Sequence, residues 1–479
     1  MALSTVHSKR AHLVDFFRDA EYYRNMLQVG LPITLQQFVM SSLNLVSVMI
    51  IGQLGETAIA AVGLGNQIGF LHNLLLFGIT SGSAIFTAQF WGKGDISSIR
   101  KVLGLCLSLG MVGGIFFWVV SLFFPDVALG IYSKDGAVVT LGSQYLRIFG
   151  WAFLLMPVTF SFAAVLRSIG DVRTPLVVSM TALSLNTLLS YGLIFGYFGL
   201  PEMGVRGAAL AGLIARVLEC GGLLALVYRR KGPAAARLRE LFQFEGKFIR
   251  RILQRVLPVA LNELLWSLGI AAYYVVYARI GTDAIAAMNI ASSIENMAFV
   301  IFIGLGNACA IMVGNRIGAG EEKKAYDYAG RSLGLSILGG LLVGGLILAI
   351  SPLVLSVYKV TPLVIDYTRK VLWIVSASLW MRAANMVIFI GILRSGGDTK
   401  FGFFLDAGTI WVVGVPLVAL GAFVFHLPVH LVYLMVMMDE LTKFLVGIWR
   451  YFSRRWIHNL AEIGEGASSV EAAGTSDPS

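Results

Sequence analysis

Charge is what this chain has least of. Only 13% of its 479 residues are Asp, Glu, Lys or Arg, about half of the roughly 25% found in ordinary globular chains. Hydrophobic residues make up 57% and the mean hydropathy is +0.78, which excludes a soluble fold of this size. Cysteine is almost absent. Cys106, Cys220 and Cys309 stand singly in apolar stretches, so neither a disulfide framework nor a metal-ligand spacing is present. There is no Walker-type phosphate loop, no nucleophile elbow, no zinc-spaced histidine pair and no soluble domain to hold one. An enzyme and an ATP-driven pump are therefore excluded, and no cofactor is expected. Residues 1–27 lack an apolar run of signal-peptide type, so no cleavable leader is expected. Leu13, Phe16, Phe17 and Leu27 instead suggest a short interfacial helix.

What the chain does have is long apolar runs, each close to the 20 or so residues that cross a bilayer. They fall at 29–52, 57–81, 100–124, 142–165, 175–198 and 205–228, then at 256–279, 284–312, 330–351, 367–392, 401–425 and 429–449. The net charge of +10 is a topology signal rather than a mark of nucleic-acid binding. With the N-terminus inside, 27 Lys and Arg fall on the cytoplasmic side against 7 outside, so the positive-inside rule places both termini in the cytoplasm.

The second half repeats the first at an offset of 226 residues. Leu31-Pro32 returns as Leu257-Pro258, Gly55 and Ala58-Ile59-Ala60-Ala61 as Gly281 and Ala284-Ile285-Ala286-Ala287, and Gly92, Gly94 and Asp95 as Gly318, Gly320 and Glu321. Between 55 and 95 there are 11 identities in 41 positions. One slip of a residue then aligns Leu166-Arg167-Ser168-Ile169-Gly170-Asp171 with Leu393-Arg394-Ser395-Gly396-Gly397-Asp398. A duplicated lobe with an even number of spans predicts a symmetry axis along the membrane normal. The expected fold is thus an all-α integral membrane protein of twelve transmembrane helices in two six-helix lobes. The segments are a cytoplasmic N-terminal stretch (1–28), a first lobe (29–228), a cytoplasmic linker (229–255), a second lobe (256–452) and a cytoplasmic tail (453–479) that is disordered from 461 onward.

These motifs, together with Gly52-Gln53-Leu54-Gly55, Gln89, Pro175, Asn186 and Gly204-Val205-Arg206-Gly207-Ala208-Ala209, make the chain resemble the multidrug and toxic compound extrusion (MATE) family over about residues 20–455. The resemblance implies a plasma-membrane antiporter that expels amphipathic, often cationic organic molecules in exchange for H⁺ or Na⁺ by alternating access. It also marks departures. Family acids of the first lobe fall on Ser47 and Ser190, and those of the second on Trp266 and Ala383. A coupling site cannot be carried over from the family residue by residue.

The chain's own intramembrane charges supply candidates instead, because each costs roughly 2.5–3.5 kcal/mol to insert. Spans one to five hold no deep acid. The sixth carries Arg216 and Glu219, spaced to pair on one helix face. The second lobe holds Glu263, Glu295, Arg382, Asp406, Asp439, Glu440 and Lys443. Counting depth at 1.5 Å per residue puts Glu295 and Arg382 near the midplane, with Glu263 and Asp406 in the inner third. Glu295, Glu263 and Asp406, with Arg382 as their counter-charge, are the cation-coupling candidates, and burial suits a carboxylate to that task. The alternative is a permanent ion pair of Glu263 or Asp406 with Arg382. Glu440 and Lys443 are expected to neutralise each other. For the substrate cavity the candidates are Gln36, Gln37, Asn44, Asn66, His72 and Asn186 in the first lobe and Trp266 and Tyr273 in the second, with Gln67, Asn73, Tyr274 and Met297 nearby in sequence. The expected partners are small amphipathic substrates and the lipid bilayer, with the protein a monomer. Two other functions fit the hydropathy: a flippase of a lipid-linked substrate, whose cavity would hold more basic side chains, and a transport-dead membrane scaffold.

Overall fold

The Leu-Pro, Gly-x-Gly-Asp and Leu-Arg-Ser-x-Gly-Asp motifs of the repeat occupy equivalent positions in the structure, a computed structural model describing residues 19–243, 245–358 and 360–462. Leu13, Phe16, Phe17 and the tail from 463 lie outside the described residues. The first half runs α1 (Ala20–Gly52), α2 (Glu56–Lys93), α3 (Ile96–Phe123), the short α4 (Pro125–Gly130), α5 (Gly136–Phe149), α6 (Ala152–Ser168), α7 (Arg173–Phe195) and α8 (Val205–Arg230). After the one-turn α9 (Leu238–Leu241), the second half runs α10 (Gly246–Ile280), α11 (Thr282–Gly318), α12 (Glu322–Val357), α13 (Pro362–Met386), α14 (Thr399–Thr409), α15 (Val415–Ala419) and α16 (Val429–Phe452).

Ten of the helical stretches are long and apolar enough to cross a membrane, and α5 with α6, bent by 52°, make an eleventh. The remaining long helix is α16, 24 residues with three charges in its middle, Asp439, Glu440 and Lys443. The second half ends differently from the first in its winding. α13 continues into a π-helical stretch over Val387–Arg394, and π turns at Ile410–Gly414 and Leu420–Val424 flank α15.

The repeated glycines stop helices. In all four copies a glycine with positive φ, Gly94 (81°), Gly170 (90°), Gly320 (77°) and Gly397 (80°), follows the helix and the next amide bonds five residues back. Asp95 N–H donates to Phe90 O, Asp171 to Leu166 O, Glu321 to Arg316 O and Asp398 to Leu393 O, each at 2.9 Å. This pairing satisfies the carbonyls that a helix end leaves open, and the left-handed glycine makes it possible. The aspartates then serve the next helix: Asp95 accepts from Ser98 N at 3.0 Å and Asp171 from Thr174 N at 3.1 Å. Pro32 and Pro258 both lie inside helices, where a missing amide leaves the carbonyls of Gln28 and Gln254 without their helical donor.

Packing divides the chain into two compact units whose borders fall inside α1 and α10. Among the described residues the N-terminal unit is Leu35–Leu268 with 460–462, and the C-terminal unit is 19–34 with Gly269–Asn459. Small residues bring helices close within each unit. A Cβ on Gly78 would lie 2.7 Å from Ala260 Cα, and one on Gly82 2.8 Å from Val256 Cα. In a bilayer such contacts take the place of a hydrophobic drive between helices. In the C-terminal unit Tyr22 of α1 is fully buried and meets Ser332 Oγ at 2.9 Å, with Arg331 paired to Asp19 beside it. Asp19 accepts from the Tyr22 amide at 3.0 Å. Burial would raise the Asp19 carboxyl, but the Tyr22 amide and Arg331 together hold it below its usual value.

Candidate functional site

In the N-terminal unit the ends of α1, α2, α5, α7 and α8 enclose a cavity of about 390 Å³. Its polar lining includes Gln37, Asn44, Ser47, Asn66, Asn186 and Ser190, and its one ion pair is Arg216 with Glu219. That pair forms as the i,i+3 spacing requires, with Arg216 Nη1 2.6 Å from Glu219 Oε2. Ser179 Oγ donates to the other carboxylate oxygen at 2.7 Å. Tyr145 Oη donates to Asn66 Oδ1 at 3.2 Å, while Asn186 Oδ1 is buried without a donor. Charge is therefore balanced here, and the two serines on the family's acid positions both face the cavity.

Four of the first-lobe cavity candidates, Gln37, Asn44, Asn66 and Asn186, line this space. His72 and Gln36 do not. His72 is fully buried between Phe117 and Phe153, with ring centroids 5.1 and 5.0 Å away. The spacing of polar residues along α2 carried no sign of which of them faced aromatic rings. Asn73 spends its amide on the Gly69 carbonyl at 3.0 Å. Trp266 is exposed, Tyr273 is buried in the core of the C-terminal unit, Tyr274 donates to Ser292 at 2.9 Å, and Met297 is exposed.

The C-terminal unit gathers its charges around α16. Glu295 of α11 and Arg382 of α13, both placed near the midplane by depth, form an ion pair. Tyr433 of α16 lies 3.3 Å from each, accepting from Arg382 Nη1 and donating to Glu295 Oε2. Two turns along the same helix, Glu440 Oε1 lies 3.8 Å from Arg382 Nε. Asn385, one turn after Arg382, donates to Glu440 Oε2 at 2.7 Å. Phe299 covers the guanidinium at 5.8 Å. One guanidinium thus faces two carboxylates, and the side chains of Glu295 and Glu440 are only 12% and 16% exposed.

The expected Glu440–Lys443 neutralisation is replaced by another pairing. Lys443 Nζ lies 2.9 Å from Asp439 Oδ2 and 3.1 Å from Asp406 Oδ1 of α14. Residues 439 and 440 are about 100° apart around a helix, so α16 turns one acid towards α14 and the other towards α13. Arg382 pairs with neither Glu263 nor Asp406. Glu263, buried on the part of α10 that packs in the N-terminal unit, is not brought into this group. Tyr433 and Asn385 escaped sequence reading. Their signal was spacing: Tyr433 stands seven residues before Glu440, on the same face, and Asn385 three after Arg382.

The MatE family model matches residues 32–192 and 258–441. The chain belongs to the MatE family. Among its relatives it is 24% identical to the probable multidrug resistance protein NorM of Thermotoga maritima over 441 residues, 91% of this chain and 93% of that one. It is 24% identical to the multidrug resistance protein PmpM of Pseudomonas aeruginosa, covering 82% of each. Solved folds agree. A crystal structure of MATE in the bent conformation superposes with a TM-score of 0.81 at 20% identity, over 91% of this chain and 96% of that one. A MOP superfamily transporter from Pyrococcus furiosus gives 0.80 at 20% identity, over 91% and 97%. This member of the MatE family is a multi-pass membrane protein with the twelve-helix fold of those structures.

Proposed function

We propose that this MatE protein is a secondary active multidrug exporter of the plasma membrane, with both termini in the cytoplasm, that exchanges amphipathic and often cationic organic compounds for protons by alternating access. The names of its relatives support multidrug export. The observation that carries the coupling is the Glu295–Arg382–Glu440 group. Two carboxylates on one guanidinium leave one negative charge in excess, and an unpaired buried charge is costly. A proton on Glu295 removes that excess and loosens its hold on Arg382. A Na⁺ ion at the same place would stand against the guanidinium, so the proton is the coupling ion favoured by charge. Antiport follows when the proton and the exported compound favour opposite conformations, because a ligand shifts an equilibrium only by its differential affinity. The neutral cavity lined by Asn66, Asn186 and the Arg216–Glu219 pair receives the compound.

The test uses everted membrane vesicles, ethidium and an imposed proton or Na⁺ gradient. The proton gradient drives uptake in the wild type, and Glu295→Gln loses gradient-driven accumulation while still reaching the membrane. Normal proton-driven uptake by Glu295→Gln would make the group structural, and uptake driven by Na⁺ alone would assign the other ion. Glu263→Gln and Asp406→Asn are measured in the same assay, to ask whether either carboxylate shares the role.

A further inference from the structure

One residue before Glu440, α16 carries a carboxylate that the first group does not use. Asp439 is 1% exposed. Its Oδ2 meets Lys443, whose ammonium is shared with Asp406. Its Oδ1 is buried with no hydrogen-bond partner, and so is the hydroxyl of Tyr273 on α10, itself 3% exposed. The two groups converge on Gly414. A Cβ there would collide with Tyr273 Oη and lie 3.3 Å from Asp439 Cβ. Gly414 ends the π turn Ile410–Gly414, and only a residue without a side chain leaves room for both neighbours.

A buried carboxylate oxygen without a donor is an expensive arrangement. Tyr273 can serve the acid in both states: its hydroxyl donates to the ionised carboxylate, and once Oδ1 takes up a proton that oxygen donates and Tyr273 Oη accepts. A metal cation does not serve as well, since Lys443 already stands 2.9 Å from the other oxygen of the same carboxylate and like charges at that range repel. The groups around Asp439 are Tyr273 from α10, Asp406 and Thr409 from α14, and Glu440 and Lys443 from its own helix.

We propose that Asp439, with Tyr273 and Lys443, is a second proton-binding site, so that each transport cycle carries two protons, one here and one at the Glu295 group. The count rests on the proton-exchange reading above, but the site has its own residues and its own test. In purified protein, the number of protons displaced when ethidium binds equals the slope of the logarithm of its apparent Kd against pH. The wild type is expected to show a limiting slope of about two, Asp439→Asn about one, and Asp439→Glu, which keeps a titratable acid, about two again. Thermal melting of each variant confirms that it is folded. An unchanged slope in folded Asp439→Asn overturns the proposal, as does a wild-type slope of one. If Glu295→Gln leaves the slope intact while Asp439→Asn lowers it, the Glu295 reading fails and this site stands. The reverse result rejects this site and keeps that reading.

Discussion

The backbone amide of Leu460 donates to Gln89 Oε1 at 2.6 Å, joining residues 371 apart in the chain. Gln89 is fully buried and Leu460 is 2% exposed, so neither partner has water to fall back on. Lys93, one turn further along α2, donates to the Ala461 carbonyl at 3.2 Å. Losing the acceptor strands a buried N–H, at a cost of about 1–3 kcal/mol. Gln89→Leu should lower the melting temperature of the detergent-solubilised protein, while Gln89→Glu, which keeps an acceptor, should lower it less. Equal melting of Gln89→Leu and wild type would show that this bond contributes nothing.

Gly340 of α12 packs directly on α13. A Cβ there would collide with the Trp380 backbone, and at Gly344 one would collide with the Ser376 carbonyl. Overpacking of this kind costs about 1–3 kcal/mol, so Gly340→Val should reduce folded yield and melting temperature. Gly345 has open space around it. Gly345→Ala should be neutral or slightly stabilising, since helix-interior glycine is worse than alanine by about 0.5–1 kcal/mol. The contrast between neighbouring positions is read by size-exclusion profile and thermal melting, and a Gly340→Val protein as stable as wild type would refute the contact.

Ser47 donates to the Leu43 carbonyl at 3.0 Å, and both Ser47 and Ser190 line the N-terminal cavity. Neither hydroxyl supplies the charge that a buried cation needs. Ser47→Ala and Ser190→Ala should therefore leave gradient-driven ethidium export within about twofold of wild type, a change of less than about 0.5 kcal/mol. Loss of export in both, with normal membrane levels, would move the coupling site to the N-terminal unit.

Single cysteines at Ser97 and Gly232, in a background where Cys106, Cys220 and Cys309 are replaced, test the sidedness. Ser97 is exposed in the first turn of α3, and Gly232 lies just past α8. Membrane-impermeant maleimide should label both in everted vesicles and neither in intact cells. Labelling from the outside would invert the proposed topology.

Depth was legible in the sequence and direction was not. Counting residues from the span ends put Glu295 and Arg382 at the same level, and they do pair. The same counting put Asp406 and Glu263 together in the inner third. Asp406 is instead held by Lys443, and Glu263 packs in the other unit, because linear position says nothing about which way a side chain points around its helix. Along α16 the spacing of Glu440 and Lys443 favoured a local pair, yet Glu440 is taken by Arg382 and Asn385 of α13, while Lys443 pairs with Asp439 on its own helix and with Asp406 of α14. The Gly-Asp motifs were visible as a repeat, but their meaning as helix stops required the positive φ angles and the amide bonds that reach five residues back. His72 was misplaced for a similar reason, since the Phe117 and Phe153 rings that enclose it come from other helices.

The π-helical stretch at Val387–Arg394 also changes what the duplication can be used for. A π turn is the form in which a helix takes in one more residue without breaking, and the repeat offset grows from 226 to 227 by the time Leu166 meets Leu393. One residue of register is about 100° of rotation. Positions matched at the constant offset of 226 across this stretch therefore point in different directions in the two halves. A chimera that grafts one half's α6 residues into α13 must drop or shift a residue here or it will aim every following side chain at the wrong neighbour.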